Sequence, residues 1–415
     1  MTAIVGVLNK HGAAIAADSA VTMGNTHKVV NSANKIFTLS KYHPVAVMTY
    51  NNASFMGTPW DIIIKEYRKQ LKDQWYPKLK DYVYNFIDFL HARNFFCDED
   101  TQKSYMLYIL SDFYDRCCRR IVSTIPGVDA SNIPSDLINR ELAACLAKNR
   151  FEDKCPDLST YTLDDFRKIF ITEMTEFARD MGLTDVDLLT ESYYHYYTST
   201  FSQSIYTGLV FVGYGESEIY PSIYPVNVCS GFDKRLKYSI DINKLADISE
   251  HGSGAVIVPF AQTDVTNTII RGINPSFLDI IYSVVSKSFE DYSKAITDVL
   301  DMNPNTVSIS NAVKKIDRNK IINNITQKIN DEMMSIYSKP LIDTVVSLDK
   351  EDMANMAESF ISLTSLVRRM QPGEETVGGP VDVAFISKGD GFVWINRKHY
   401  FKPELNAPFF SNYFR

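Results

Sequence analysis

Apolar residues over residues 2–56 fall in short runs divided by turn signals. Ala3-Ile4-Val5-Gly6-Val7-Leu8 is one run, Asn9-Lys10-His11-Gly12 a turn signal, and Ala13-Ala14-Ile15-Ala16-Ala17 the next run. Continuous apolar runs of this length predict a β-hairpin buried on both faces. Residues 35–39 and 45–49 predict a second strand pair around Lys41-Tyr42-His43-Pro44. From 58 to about 200 the apolar spacing becomes helical. Thr58-Pro59 reads as an N-cap with proline at the first helical position, opening a helix through Tyr67. Thr162-Leu163-Asp164-Asp165 resembles a capping box, with Asp for the usual Glu, ahead of a helix over 166–181. Residues 79–90 and 104–121 are further amphipathic stretches, and Tyr193-Tyr194-His195-Tyr196-Tyr197 predicts an aromatic helix face in a core.

Strand character returns at 206–215, 219–228 and 236–242. A helical block follows from Val265 to about Leu348, broken at Gly272, Pro275 and Asn303-Pro304-Asn305. One more helix over 350–370 leads to a last hairpin, 380–386 and 392–395, around Ser387-Lys388-Gly389-Asp390-Gly391. Segregated runs of strands and helices predict a layered α+β fold, not alternating β-α-β units.

Composition narrows the function classes. The chain has 415 residues, enough for two to three domains or one domain with large insertions. It is 45% hydrophobic and 22% charged, which permits a sizeable core and argues against global disorder. A formal charge of -7 argues against a nucleic-acid partner, which needs a basic footprint. No stretch approaches the ~18 apolar residues that span a bilayer, so no membrane partner is expected. The N-terminus lacks the basic and apolar regions of a signal peptide, which makes the cytoplasm the expected compartment. Six cysteines without a Cys-x-x-Cys pair read as reduced, buried thiols. Seven scattered histidines without His-Glu-x-x-His give no support for a zinc site, and no Gly-x-Gly-x-x-Gly or Walker loop supports a nucleotide. No metal and no cofactor are expected.

A threonine hydroxyl is a weak nucleophile unless a base sits beside it, and a free α-amino group on the same residue supplies one. The ordinary pKa of that amine, roughly 7.7–8.0, suits a general base. Met1-Thr2 leads into the first predicted strand, and a small second residue favours removal of Met1. Asp18 ends the second apolar run, where a carboxylate is costly unless it is paired. Lys35 opens the next strand. Singly, these residues are an ordinary second residue, a turn cap and a solvated strand end.

Together, Thr2-Ala3-Ile4-Val5-Gly6-Val7, Gly12 through Ser19, Thr22-Met23-Gly24-Asn25-Thr26 and Asn34-Lys35-Ile36 resemble the start of proteasome β-subunits and the bacterial protease HslV. The resemblance implies a four-layer αββα sandwich of the N-terminal-nucleophile (Ntn) hydrolase type. The whole of 1–415 would be a single domain, with helical insertions at about 72–200 and about 273–347. Thr2 would be nucleophile and, through its amine, base; Lys35 would lower that amine's proton affinity, and Asp18 would hold Lys35. His251-Gly252-Ser253-Gly254 resembles the family's Gly-Ser-Gly segment and implies Ser253 near the threonine amine. Glu374-Glu375-Thr376-Val377-Gly378-Gly379 resembles Asp-x-x-Ser-Gly-Gly, implying a catalytic Glu374 and placing Val377 where the family has serine. Tyr50 or Asn51 stands where the family has glycine at its oxyanion hole, keeping the N–H but adding a side chain that narrows the cleft. With Thr22 and Gly254, these two residues would line the oxyanion site and cleft. The implied activity is a threonine peptidase acting on peptide or protein, in a homo-oligomer, with an ATPase or regulatory partner left open. The alternatives are a non-catalytic assembly or regulatory subunit and a small-molecule amidase of the same class.

Overall fold

The structure, a computed structural model, describes residues 2–23, 28–130, 132–200, 205–302, 304–372, 377–399 and 401–408. In chain order the strands are β1 (Ala3–Asn9), β2 (Gly12–Ala17), β3 (Val21–Met23), β4 (Lys28–Val30), β5 (Ile36–Thr38), β6 (Val45–Asn51), β7 (Ser54–Phe55), β8 (Thr58–Pro59), β9 (Thr207–Gly213), β10 (Ser222–Phe232), β11 (Arg235–Ile240), β12 (Ala246–Asp247), β13 (Ala255–Ala261), β14 (Asp382–Ser387) and β15 (Gly391–Asn396). The helices are α1 (Trp60–Leu71), α2 (Leu79–Ala92), α3 (Glu99–Thr124), α4 (Ser135–Asn149), α5 (Leu163–Asp180), α6 (Val186–Thr198), α7 (Asp264–Arg271), α8 (Pro275–Asp301), α9 (Val307–Lys314), α10 (Arg318–Met333), α11 (Lys339–Ser347) and α12 (Lys350–Met370). The architecture is α+β, with antiparallel sheets and many helices. Contacts divide it into two compact units, one of residues 1–33, 248–385 and 394–403, the other of 34–247, 386–393 and 404–415.

In the first unit the sheet order is β13-β1-β2-β14-β15. The run 255–261 is a strand that the sequence reading did not assign, because Pro259 interrupts it. The register explains the proline: Pro259 lies opposite Val5 on the edge strand β13, where one side needs no partner. Ala3, Val5, Val7, Ala14 and Ala16 point to one core with Met353, Ala357, Phe360 and Ile361 of α12. The other face of the hairpin, carrying Ile4, Leu8, Ala13, Ile15 and Ala17, is buried as well, as continuous apolar runs predict. Asn9 ends β1 fully buried, and its Nδ2 donates to the Val345 and Leu348 carbonyls, each at 2.9 Å, at the end of α11. The amide thus satisfies carbonyls that a helix end leaves without partners.

In the second unit the sheet order is β11-β10-β9-β6-β5, with β12 on β10. Helices α1 and α2 supply Trp60, Ile63, Tyr67, Tyr82, Phe86 and Phe89 to a core with Val45, Val47, Leu209 and Phe211. Helices α3 to α6 build a further core with Cys229 and Phe232 of β10. Tyr193, Tyr194, Tyr196 and Tyr197 are all buried in it, as the aromatic run predicts. Lys237 of β11 is buried, and its Nζ donates to the carbonyls of Tyr196, Tyr197 and Ser199 at the end of α6. A lysine there neutralises the negative helix terminus and ties α6 to the sheet. Burial pushes its ammonium below the ordinary lysine value.

Two local expectations change. Thr58-Pro59 forms a short strand, β8, and Pro59 is the N-cap of α1 instead of its first helical residue. Thr162 does cap α5, accepting the Asp165 N–H, but its hydroxyl bonds the Asp165 carboxylate at 2.6 Å, so only half of the reciprocal capping box forms. Among the described residues no helix is long and apolar enough to cross a membrane.

Candidate functional site

Thr2 sits one residue ahead of β1 and is 4% exposed. In the β1–β2 register Ile4 faces Ala17, so the hairpin continues with Ala3 beside Asp18. The Asp18 N–H donates to the Ala3 carbonyl at 3.1 Å, and the Ala3 N–H returns a bond to Asp18 Oδ1 at 2.9 Å. Oδ2 accepts from the Ala20 N–H at 3.0 Å and the Gly378 N–H at 3.3 Å. Asp18 is 1% exposed, so these amides replace the water its charge has lost. One carboxylate therefore fixes the residue after Thr2, the turn after β2 and the segment before β14. The Ser19 N–H adds a bond to the Gly378 carbonyl at 3.0 Å. Gly379 has φ +73, and a Cβ there would meet Asn31 Cβ at 2.8 Å, so both backbone and space require glycine.

Across β1, the edge strand β13 brings a corner that the sequence reading missed. Ala261 pairs with Ala3, and the Gln262 N–H donates to the Thr2 carbonyl at 3.1 Å. Ala261 has φ +61, a turn that sends the chain through Gln262 and Thr263 into α7. Arg368 of α12 binds both the Gln262 side chain and the Asp264 carboxylate, and so holds this turn beside Thr2. A Thr-Asp pair opening an apolar-periodic stretch was the available signal, hidden because β13 itself was not assigned.

The register also moves two expected residues. Ser253 and Gly254 precede Ala255, which pairs with Asn9 at the far end of β1. Six residues of strand, about 20 Å, separate that end from Ala3. Ser253 is exposed there and does not accompany Thr2. The His251-Gly252-Ser253-Gly254 match was a loop signal shared by many strand entrances. Val377, where the resemblance called for serine, is fully buried in the core under α12. Thr22 lies on β3, paired with Val29 of β4. Glu374 lies outside the described residues.

In the second unit Lys35 is buried and its carbonyl accepts the Thr49 N–H at 2.8 Å. Tyr50 does not narrow a cleft as expected. Its ring covers Gly208, where a Cβ would come within 2.0 Å of it, and its hydroxyl donates to Asn227 Oδ1 at 3.2 Å. Burial, reinforced by Tyr206 and Asp241, pushes that hydroxyl well above the ordinary tyrosine value. Asn51 ends β6 with φ +72, and its Nδ2 donates to the Tyr206 carbonyl at 2.8 Å. Asparagine thus supplies the left-handed turn that glycine otherwise would. We expect Asn51→Gly to change stability by less than about 1 kcal/mol, and Asn51→Val to lose about 1–3 kcal/mol in a urea titration. An indifferent Val variant would remove the backbone argument.

No family model and no curated protein matches the chain. Solved structures that match include Anbu from Hyphomicrobium sp. strain MC1, at 8% identity and TM-score 0.31, covering 99% of this chain and 94% of that one. The helical assembly of the Anbu complex from Pseudomonas aeruginosa matches at 9% and TM-score 0.34, covering 99% and 92%. Anbu from Yersinia bercovieri, described as an ancestral beta-subunit, matches at 9% and TM-score 0.28, covering 99% and 94%. These neighbours are named Anbu, and not HslV or a proteasome β-subunit, so the assignment to that family is corrected. The blocks that suggested it are a buried hairpin and its turns, which many sheets share. Of the segment Thr22-Met23-Gly24-Asn25-Thr26 that carried part of the resemblance, Gly24-Asn25-Thr26 lies outside the described residues. At such identities and TM-scores the chemistry rests on this chain's own residues.

Proposed function

We propose that the chain is an N-terminal-threonine amide hydrolase, with peptides as its substrates, activated by removal of Met1. The observation that carries this reading is the Asp18 carboxylate, buried and bonded to the residue next to Thr2. A charge is kept inside the fold where Thr2 leads into the buried strand β1. In this reading Thr2 Oγ1 attacks the amide carbonyl while the Thr2 amine takes its proton. The tetrahedral oxyanion would be met by backbone N–H groups. Collapse expels the amine product and leaves an ester on Thr2, which water cleaves with the Thr2 amine as base.

The same reading makes 1–415 a single domain with an αββα core. Each sheet has one face covered by helices. The opposite face is also buried, with Ile4, Leu8 and Ile15 in the first unit and Met48, Val210 and Val212 in the second. The test is the N-terminus itself. An intact mass for residues 2–415, and a threonine-directed electrophile mapped to Thr2, are the expected results. Folded protein that keeps Met1 overturns the reading.

One observation favours a second reading, an assembly subunit. Helix α8 runs for 27 residues, and its buried residues are Leu278 and Thr297. Phe277, Ile280 and Val284, at helical spacing on one side, are each more than half exposed. Light scattering is expected to show an oligomer whose mass falls in Ile280→Asp/Val284→Asp. An unchanged mass in that variant removes α8 from the interface. The two readings are compatible, since a hydrolase can also assemble.

A further inference from the structure

We propose that Cys117, Glu141 and Cys145 form a binding site for a thiophilic divalent cation of the zinc class, in the helical part of the second unit. Cys117 lies on α3 and the other two residues on α4. Glu141 and Cys145 are four residues apart and so share one face of α4, turned to α3. The two Sγ atoms are 3.8 Å apart, and Cys145 Sγ is 3.6 Å from Glu141 Oε1. All three ligand atoms lie within 4.8 Å of one another.

These distances have a chemical meaning. Zinc binds thiolate at ~2.3 Å and carboxylate at ~2.0–2.2 Å in a tetrahedron. Its S–S edge is then about 3.8 Å and its S–O edge about 3.6 Å, simple consequences of the tetrahedral angle. Two edges of the cluster already have these lengths. A disulfide would need the sulfurs at about 2.05 Å. Three protein ligands leave the fourth position to water.

The charges close as well. Two thiolates and a carboxylate carry three negative charges, a divalent cation returns two, and the Arg120 guanidinium supplies the last. Arg120 Nη1 lies 2.8 Å from Glu141 Oε1 and 3.9 Å from Cys145 Sγ. A ligating carboxylate held by an outer partner is the usual arrangement of a metal site. The sulfurs are buried, while the Arg120 side chain is 54% exposed, so a cation has a path along Arg120 and Glu141. Binding releases the two thiol protons to solvent. No spacing motif announces the site, because Cys117 and Cys145 are 28 residues apart on different helices.

The proposal is independent of Thr2 and is tested on the full chain, reduced and stripped with a chelator. Titration with Cd(II) is expected to give one equivalent per chain with a thiolate-to-metal charge-transfer band. Cys117→Ser/Cys145→Ser is expected to lose the band, Glu141→Gln to bind at least tenfold more weakly, and Cys118→Ser to bind as the parent does. A band that survives the double variant, or no band in the parent, overturns the proposal. Should the double variant fail to fold, alkylation of the parent decides. Zn(II) is expected to protect Cys117 and Cys145 from N-ethylmaleimide in peptide maps, and equal labelling with and without zinc overturns it.

Discussion

Replacing Thr2 with alanine is expected to slow hydrolysis of a peptide amide by about a thousandfold or more, the scale on which removal of a nucleophile acts. Alanine is as small as threonine for the purpose of Met1 removal, so the variant keeps the α-amine and the chain start. Only the hydroxyl and a methyl are lost. Thr2→Ser restores a hydroxyl at the same place and is expected to recover most of the rate. The comparison separates chemistry from folding, because both variants leave the backbone bond from Gln262 to the Thr2 carbonyl in place. Urea midpoints close to the parent's are expected for both. An alanine variant that hydrolyses at the parental rate would place the nucleophile elsewhere.

Asp18→Ala carries the largest expected loss of stability. The carboxylate accepts from the amides of Ala3, Ala20 and Gly378, and its removal leaves buried donors without an acceptor. Each buried donor left unsatisfied costs about 1–3 kcal/mol. The three share one acceptor group and are not additive, so about 3–5 kcal/mol is expected in all. Asp18→Asn keeps one acceptor oxygen but turns an NH2 group toward amide donors, and is expected to lose roughly half as much. Denaturant unfolding of the two variants measures this directly. A loss under about 0.5 kcal/mol for alanine would mean that the cradle is not a stabilising element. This result stands apart from catalysis: a stable but inactive Thr2→Ala beside an unstable Asp18→Ala assigns chemistry to one residue and architecture to the other.

The pattern of apolar runs made much of the fold legible. The β1–β2 hairpin, β6, β9, α12 and the final hairpin lie where periodicity places them; burial is continuous along β1, β2, β9 and β14 and follows helical spacing along α12. The helical blocks over 72–200 and 273–347 are helical. Strand β13 was hidden by Pro259, because local rules treat proline as a break, and only its place at the sheet edge makes it tolerable.

The candidate site divides along the same line. The adjacency of Thr2 and Asp18 could be anticipated from the chain, because a small second residue and a carboxylate at the end of the next apolar run are local signals that a hairpin brings together. Their number along the chain says nothing of which N–H groups the carboxylate meets. The bond from Gly378 to Asp18 joins residues 360 positions apart. Likewise Gln262 and Thr263, and not Ser253, stand beside Thr2, because an antiparallel register places one end of β13 there and the other about 20 Å away. The Cys117, Glu141 and Cys145 cluster arises when two helices face each other. Short-range order was written in the spacing of apolar residues; the partners of each buried polar group were set by how distant segments pack, since no local rule fixes which amide reaches a desolvated charge.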